Sequence, residues 1–143
     1  MDDNLTAYKQ ADILGKSQLD LVIQVYDGAI GAYRTARKAY EDEKPSLGYE
    51  HLQKARRFVT HLYTTLDMEK GGNIADQLSR LYAFLINQTN VIEATKDLKQ
   101  IDDNISILDN LRSGWVGLKE QQREEKAEKP QSDRPEKSLA TTA

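Results

Sequence analysis

The sequence predicts an all-α protein: an antiparallel up-down four-helix bundle, preceded by an N-terminal arm and followed by a disordered charged tail. Apolar residues recur at steps of three and four along four stretches of the 143-residue chain, which is the spacing of amphipathic helices. Short links with helix caps and helix breakers separate these stretches, and short links favour antiparallel neighbours. Charged residues make up 30% of the chain, with only 8 glycines and 3 prolines, a composition that suits helices.

The composition excludes several classes of function. The chain has no cysteine, which rules out disulfides and thiolate metal sites. Its formal net charge is -3 without a concentrated basic face, so we expect no nucleic-acid partner. No apolar run approaches the roughly 20 residues of a membrane span, and the acidic N-terminus lacks the apolar core of a signal peptide. These observations predict a cytosolic protein without membrane insertion.

The predicted N-terminal arm comprises residues 1–16. It has little hydrophobic pattern, but Leu5, Tyr8, Ile13 and Leu14 supply apolar side chains that can lie against a groove. The alternative is a frayed terminus, and the sequence leaves both interpretations open.

The first helix is predicted to begin after Ser17, an N-cap with Asp20 three residues later, and to end near Glu43. The proline at position 45 stops it, because a residue before proline is disfavoured in the α region. One apolar seam consists of Leu19, Val22, Tyr26, Ala29, Tyr33, Ala36 and Tyr40.

A second apolar stripe lies beside that seam on the first helix. Its members are Leu21, Val25, Ala32 and Ala39, next to Gly28. Together the two stripes cover an arc of roughly 200°, against about 100° for a helix with one buried face. Because the second stripe consists largely of small residues, another backbone can approach it closely, and the functional question is what covers it.

The second helix is predicted to be capped by Ser46, and the Gly71-Gly72-Asn73 break to separate it from the third. The apolar seam of the second helix is Leu52, Ala55, Val59, Leu62 and Leu66. The third helix places Ile74, Leu78, Leu81, Leu85 and Ile92 on one line, with Tyr82 and Ile86 on one flank and Phe84 and Val91 on the other. Its apolar arc is also close to 200° by the same estimate.

The fourth helix is predicted to begin at an Asp97 cap, with Gln100 three residues later, and to fade after about Gln122. Its apolar seam is Ile101, Ile105, Leu108, Leu111, Trp115 and Leu118. Residues 123–143 have no apolar rhythm, so they bury too little surface to offset ordering entropy. The expected organisation is therefore an arm over 1–16, a bundle over 17–122 and a disordered tail over 123–143.

Catalytic and metal-binding patterns are absent from the sequence. His51 and His61 are the only histidines, and their separation on one helix is about 15 Å, too far to share a metal. The Glu-x-x-His pair of di-iron bundles does not occur, and Gly71-Gly72 lacks the spacing of a phosphate-binding loop. We therefore expect no enzyme activity, no catalytic or metal-ligating residues and no cofactor.

Three sequence blocks resemble the flagellar secretion chaperone FliS family. Residues 21–30 read LVIQVYDGAI, close to the family's L-V-x-x-L-Y-D-G-A-I block. The second block, over 62–90, matches at Leu66-Asp67, Glu69, Gly71-Gly72, Ile74-Ala75, Leu78, Leu81-Tyr82 and Asn90. Leu111 and Trp115 match the family's L-x-x-x-W. The family's Ala-Ser-Pro at the first helix is Lys16-Ser17-Gln18 here, so the capping serine is kept and the proline of the first turn is absent.

The resemblance implies a four-helix export chaperone for flagellin that works in the bacterial cytosol without nucleotide. Family members bind the C-terminal segment of flagellin, which is disordered before assembly, and so prevent premature polymerisation and keep it competent for type III secretion. The family's N-terminal arm, with a tyrosine matched by Tyr8, is associated with covering the groove and with docking at the flagellar export gate.

The resemblance and the apolar arcs together predict a client-binding surface. An amphipathic peptide helix can lay its apolar side chains into a groove between bundle helices. The predicted client-binding residues are Tyr8, Leu21, Val25, Gly28, Ala32, Leu62, Leu66, Tyr82, Leu85, Ile86 and Asn90. Two alternatives stay open: the apolar members belong to the core of the bundle, or the protein is a structural adaptor whose second apolar face closes a homodimer.

Overall fold

The computed structural model of the protein describes residues 18–138, and every regular element among them is an α-helix. The four helices are α1 (Gln18–Glu41), α2 (Pro45–Thr64), α3 (Met68–Thr95) and α4 (Leu98–Ser138). The predicted all-α fold class is confirmed. The arm over 1–16 and the predicted cap Ser17 lie outside the described residues.

The described chain divides into two compact units. One unit is Leu21–Arg112, which includes parts of all four helices. The other comprises the described parts of Met1–Asp20 and Ser113–Ala143, and within it the Lys119 ammonium pairs with the Asp20 carboxylate. The α4 helix continues beyond the predicted end near Gln122, because Glu, Lys, Gln and Arg favour helical backbone without an apolar stripe. The division into arm, bundle and tail stays a prediction.

The neighbouring helices α1 and α4 run in opposite directions within Leu21–Arg112. On α1 and α4, Arg37 pairs with Asp102 at 2.6 Å, whereas the earlier Asp27 pairs with the later Arg112 at 2.5 Å. As residue numbers rise along α1, the numbers of their partners on α4 fall, so the two helices are antiparallel.

The diagonal helices α1 and α3 instead run parallel. Tyr26 contacts Tyr82 and Tyr33 contacts Thr89, and both pairs are separated by 56 positions. A constant separation means that the two helices advance in the same direction. Antiparallel neighbours and parallel diagonals define an up-down-up-down bundle, so the predicted architecture is confirmed.

Two of the predicted helix ends are wrong. Ser46 is not the cap of α2, because Pro45 already occupies the first turn and the N-cap position is Lys44, which makes no side-chain cap hydrogen bond. Proline suits the first helical position because its fixed φ is helical and its missing N–H would have no partner there.

The α3 helix begins before the diglycine rather than after it. Asp67 caps it, with the carboxylate accepting a hydrogen bond from the Lys70 N–H at 3.0 Å. The predicted break survives as a kink inside α3, where Gly72 has φ 54° and ψ -130°. By contrast, the predicted cap of α4 is confirmed, because Asp97 accepts the N–H groups of Lys99 and Gln100 at 2.9 and 3.3 Å.

The core of Leu21–Arg112 follows the predicted seams in most positions. The fully buried members include Tyr26, Ala29, Tyr33, Ala36, Leu52, Ala55, Val59, Leu85, Ile92, Ile101 and Leu108. Ile74 is a correction, because it lies just after the Gly72 kink and is 67% exposed. The buried polar pair Thr89 and Asn104 was not anticipated, although it occupies core positions between apolar residues.

Candidate protein-binding surface

The second stripe of α1 meets α2 at Gly28. A methyl group built on this glycine would lie 2.5 Å from Cζ of Phe58, so the Phe58 ring rests directly against the α1 backbone. Ala32 and Ala39 of the same stripe are also buried. The expectation for this stripe was the close approach of another backbone. At Gly28 the neighbouring helix of the same chain instead places a side chain, the Phe58 ring, against the small residue.

The remaining members of the predicted surface on α1 and α2 differ in accessibility. Leu21 and Val25 near the start of α1 are half-buried, and so is Leu66 after the end of α2. Leu62, one turn before Leu66, is buried. Among these residues, accessible apolar surface is therefore found at Leu21, Val25 and Leu66.

On α3 the predicted residues fall into two groups. Tyr82 and Leu85 are buried, and the Tyr82 hydroxyl lies 2.5 Å from that of Tyr26. Burial, followed by the neighbouring Tyr26, raises the pKa of Tyr82 well above its ordinary value, so this phenol stays neutral in the core. Ile86 is half-buried and Asn90 is exposed. Only the second group presents surface to a partner in this conformation.

Leu85 contributes to the core through its backbone as well as its side chain. Its carbonyl oxygen accepts the Thr89 hydroxyl at 2.7 Å and the Asn104 amide at 3.3 Å. A partner that reached Leu85 would have to separate α3 from α4, and we assign this residue to the support beneath the surface.

Two exposed apolar side chains in the second half of α3 lie on the flank that the sequence pattern predicts. Phe84 and Val91 are 47% and 41% exposed, and their positions differ by seven residues, which puts both on one side of the helix. Exposed apolar groups also occur at Tyr63 and Met68, around the link between α2 and α3. Burial depends on packing that sequence periodicity does not contain, so only the structure separates these residues from the core.

Asp27, the polar residue beside the second stripe, is engaged within the bundle. Its carboxylate accepts hydrogen bonds from Arg112 Nε and Nη2 at 2.5 and 3.4 Å. This hydrogen bond raises the pKa of the Arg112 guanidinium above its ordinary value. The pair joins α1 to α4 and leaves Asp27 committed to a neighbour rather than to a partner's backbone.

One open pocket of about 300 Å³ lies where α1 ends and α2 begins. Its lining residues are Tyr40, Pro45, Ser46, Tyr49, Glu93 and Lys96. Glu93 is already paired with Arg56 at 2.5 Å, and burial raises the pKa of Tyr40. The lining thus mixes one paired carboxylate, one ammonium and two phenols, without the paired acid and base that proton transfer requires.

Within residues 18–138, no group of His, Asp or Glu side chains is placed to hold a metal ion. None of the helices in this part of the chain is both long enough and apolar enough to cross a membrane.

Comparison with known proteins gives a consistent family assignment. The family model described as "Flagellar protein FliS" matches residues 1–122. The chain is 31% identical over 121 residues to the flagellar secretion chaperone FliS of Vibrio cholerae, covering 80% of this chain and 88% of that protein. It is 30% identical over 116 residues to the Salmonella typhimurium chaperone FliS, covering 78% and 86% of the two chains.

A third relative is the flagellar secretion chaperone FliSB of Pseudomonas aeruginosa, 30% identical over 99 residues, with 68% of this chain and 78% of that protein covered. These relatives are chaperones rather than enzymes, which confirms the prediction that the chain has no enzyme activity. The match spans all four predicted helices, and the chain belongs to the FliS family of flagellar secretion chaperones.

Proposed function

We propose that this protein is a cytosolic export chaperone that binds the disordered C-terminal segment of flagellin. In this role it prevents premature polymerisation, keeps flagellin competent for type III secretion and delivers it to the flagellar export gate. The observation that carries the proposal is the family match over residues 1–122. Two relatives at 30–31% identity that are named flagellar secretion chaperones support it.

The physical basis of the proposal is that the bundle supplies an apolar surface on which the apolar side of the client segment can pack. A disordered segment pays the entropy of ordering when it binds, about 2–5 kcal/mol of the gross interaction energy. It can offset this cost by wrapping over a large surface. Half-buried Leu21, Val25, Leu66 and Ile86 and exposed Asn90 offer contacts spread over three parts of the bundle.

The predicted client-binding residues take two roles in this proposal. The accessible group contacts the client directly. Buried Ala32, Leu62, Tyr82 and Leu85 hold the helices beneath that group in place, and Gly28 lets α2 pack closely against α1. Tyr8, outside the described residues, keeps its predicted role in the arm.

The test compares full-length flagellin from the source cell with a truncated flagellin that lacks the C-terminal segment. We expect the chaperone to co-purify with the full-length protein and to suppress its polymerisation, followed by light scattering. The truncated flagellin should not be retained. Equal retention of both forms, or polymerisation at an unchanged rate, contradicts the proposal.

Two variants test whether flagellin binds at the predicted client-binding surface. Ile86→Glu places a charge at a half-buried position of α3 and should abolish flagellin binding with the helical circular dichroism intact. Lys54→Glu, at an exposed position of α2, is the charged control and should bind as the parent does. The alternative of a homodimeric adaptor predicts instead a dimer whose mass is indifferent to flagellin.

A further inference from the structure

The open pocket of about 300 Å³ between the end of α1 and the start of α2 has no part in the proposed function. Its volume is at the lower end of the range of about 300–1,000 Å³ that is typical of small-molecule sites. We call it the link pocket; its lining residues are Tyr40, Pro45, Ser46, Tyr49, Glu93 and Lys96. All of them belong to the compact unit Leu21–Arg112.

The walls of the link pocket include three rings. A methyl group built on Gly48 would lie 2.5 Å from Cε1 of Tyr40, so the Tyr40 ring packs directly on the first turn of α2. Pro45 adds a rigid ring at the start of the same helix. Tyr49, one turn later, is 47% exposed and offers a second phenol ring. Because aromatic rings pack readily on other flat groups, these walls suit a ligand with a flat apolar body.

The polar groups of the link pocket are not engaged by the rest of the bundle. Within residues 18–138, three lining hydroxyl groups make no hydrogen bond; they belong to Tyr40, Ser46 and Tyr49. In the same part of the chain, the ammonium of Lys96 has no hydrogen bond and no ion pair. Hydroxyl and ammonium groups all donate hydrogen bonds, so together they can serve one acceptor.

The uncompensated charge at the link pocket is positive. The carboxylate of Glu93 is already paired with Arg56 at 2.5 Å, whereas no described residue pairs with Lys96. A single ammonium beside hydroxyl donors matches the one negative charge of a carboxylate. A phosphate group, with a charge of about -1.5 to -2 at pH 7, would be compensated only in part.

The backbone of Lys96 gives an independent indication that this residue has a role. It ends α3 in the left-handed region, with φ 58° and ψ 31°, where glycine or asparagine is usual. A residue with a Cβ atom loses stability in that conformation. Such unfavourable backbone conformations are concentrated at functional sites, and here the residue supplies the ammonium of the link pocket.

We propose that the link pocket binds a carboxylate carried on a flat apolar body. The ammonium of Lys96 pairs with the carboxylate, and the rings of Tyr40 and Tyr49 pack on the body. A free aromatic acid and the carboxyl end of a peptide chain with an aromatic last residue present this same chemistry. The site does not depend on the flagellin client, so its failure would leave the proposed function intact.

The test follows the amide resonances of the full chain by NMR during titration with benzoate. Benzoate should shift the amides of the lining residues with a Kd on the order of 1–10 mM, as expected for a ligand of this size. Benzamide, which has the same shape without the charge, should leave them unshifted at the same concentration. N-acetyl-phenylalanine represents the peptide end: tighter binding than benzoate assigns the pocket to a chain end, and weaker binding assigns it to a free acid.

Variants separate the role of Lys96 in binding from its role in stability. Lys96→Gly removes the ammonium and places the usual residue in the left-handed position. It should abolish the benzoate shifts while unfolding at no lower urea concentration than the parent. Tyr49→Phe should weaken benzoate binding about threefold or more, because one hydrogen-bond donor is lost. The charge control is Lys54→Gln, at an exposed position of α2, which should change the affinity by less than about twofold.

Several results would overturn the proposal. Lining amides that do not move with benzoate would show that the pocket does not bind a carboxylate. Equal shifts with benzamide, or tighter binding of inorganic phosphate than of benzoate, would contradict the assigned ligand. Equal weakening by Lys96→Gly and Lys54→Gln would show that benzoate responds only to the net charge of the chain.

Discussion

The Tyr33 hydroxyl lies 2.6 Å from Oγ1 of Thr89 in the core of the bundle. This contact joins α1 to α3 seven positions after the one between Tyr26 and Tyr82. The amide of Asn104 on α4 donates to the same hydroxyl at 3.3 Å. An unpaired polar group in the core costs free energy, so these hydrogen bonds favour one axial alignment of α1, α3 and α4 over its alternatives.

The first prediction removes one hydroxyl from this network. Tyr33→Phe leaves Thr89 and Asn104 with one partner fewer in a buried site, and we expect the free energy of unfolding to fall by about 1–3 kcal/mol. Urea unfolding followed by circular dichroism measures it. Tyr49→Phe, at an exposed position, should change it by less than about 0.5 kcal/mol; equal effects at both positions would contradict the network.

A second prediction concerns the contact of α1 with α2. Gly28→Ala places a methyl group 2.5 Å from Cζ of Phe58, and overpacking of this kind costs about 1–3 kcal/mol. The control is Gly31→Ala, where nothing lies within 4 Å, and it should stabilise the helix by up to about 1 kcal/mol.

The double variant Gly28→Ala with Phe58→Leu tests whether the ring causes the cost. Because the shorter side chain relieves the clash, the double variant should lose less stability than the sum of the losses in the two single variants. Additive losses in urea unfolding would mean that Gly28 is needed for another reason.

The third prediction is a loss of stability in alkali. Burial raises the pKa of Tyr82 and of Tyr33 above the ordinary value, which is about 10. The unfolded chain loses these protons near pH 10 while the folded chain keeps them, so the stability is present in full below that pH. Above it, each tyrosine should lower the free energy of unfolding by up to about 1.4 kcal/mol per pH unit.

Tyr82→Phe removes one of these groups and should make the decline shallower. Urea unfolding between about pH 9 and about pH 11 gives the slope, and tyrosinate absorbance reports ionisation in the folded state. A slope identical to that of the parent would show that Tyr82 ionises equally easily in both states.

A fourth prediction tests the kink in α3. Gly72 has φ 54° and ψ -130°, a conformation that residues with a Cβ atom rarely adopt, so Gly72→Ala should cost about 1–3 kcal/mol. The same change at Gly114, where nothing lies within 4 Å, should not destabilise the chain. A harmless Gly72→Ala would mean that α3 also folds without its kink.

The sequence predicted the helices and their order because hydrophobic period and link length are local properties. The seam of α1 illustrates this, since Tyr26 and Tyr33 lie on one predicted line and both are fully buried. The predicted start of α3 is wrong because the sequence offers two places at which the helix can begin, Asp67 and the residue after the diglycine. The hydrogen bond from the Lys70 N–H makes Asp67 the N-cap.

The candidate site was less predictable, because an apolar residue on a bundle helix has the same pattern whether it faces a neighbour or a partner. Leu85 and Phe84 are adjacent in sequence, yet one is fully buried and the other is 47% exposed. Tertiary packing makes that distinction.

The most direct test of the chaperone account is a calorimetric titration of the full chain with the C-terminal segment of flagellin at several temperatures. The account predicts saturable one-to-one binding with a negative heat-capacity change, because a disordered segment folds while it buries apolar surface. Absence of binding, or binding whose enthalpy does not vary with temperature, would contradict it.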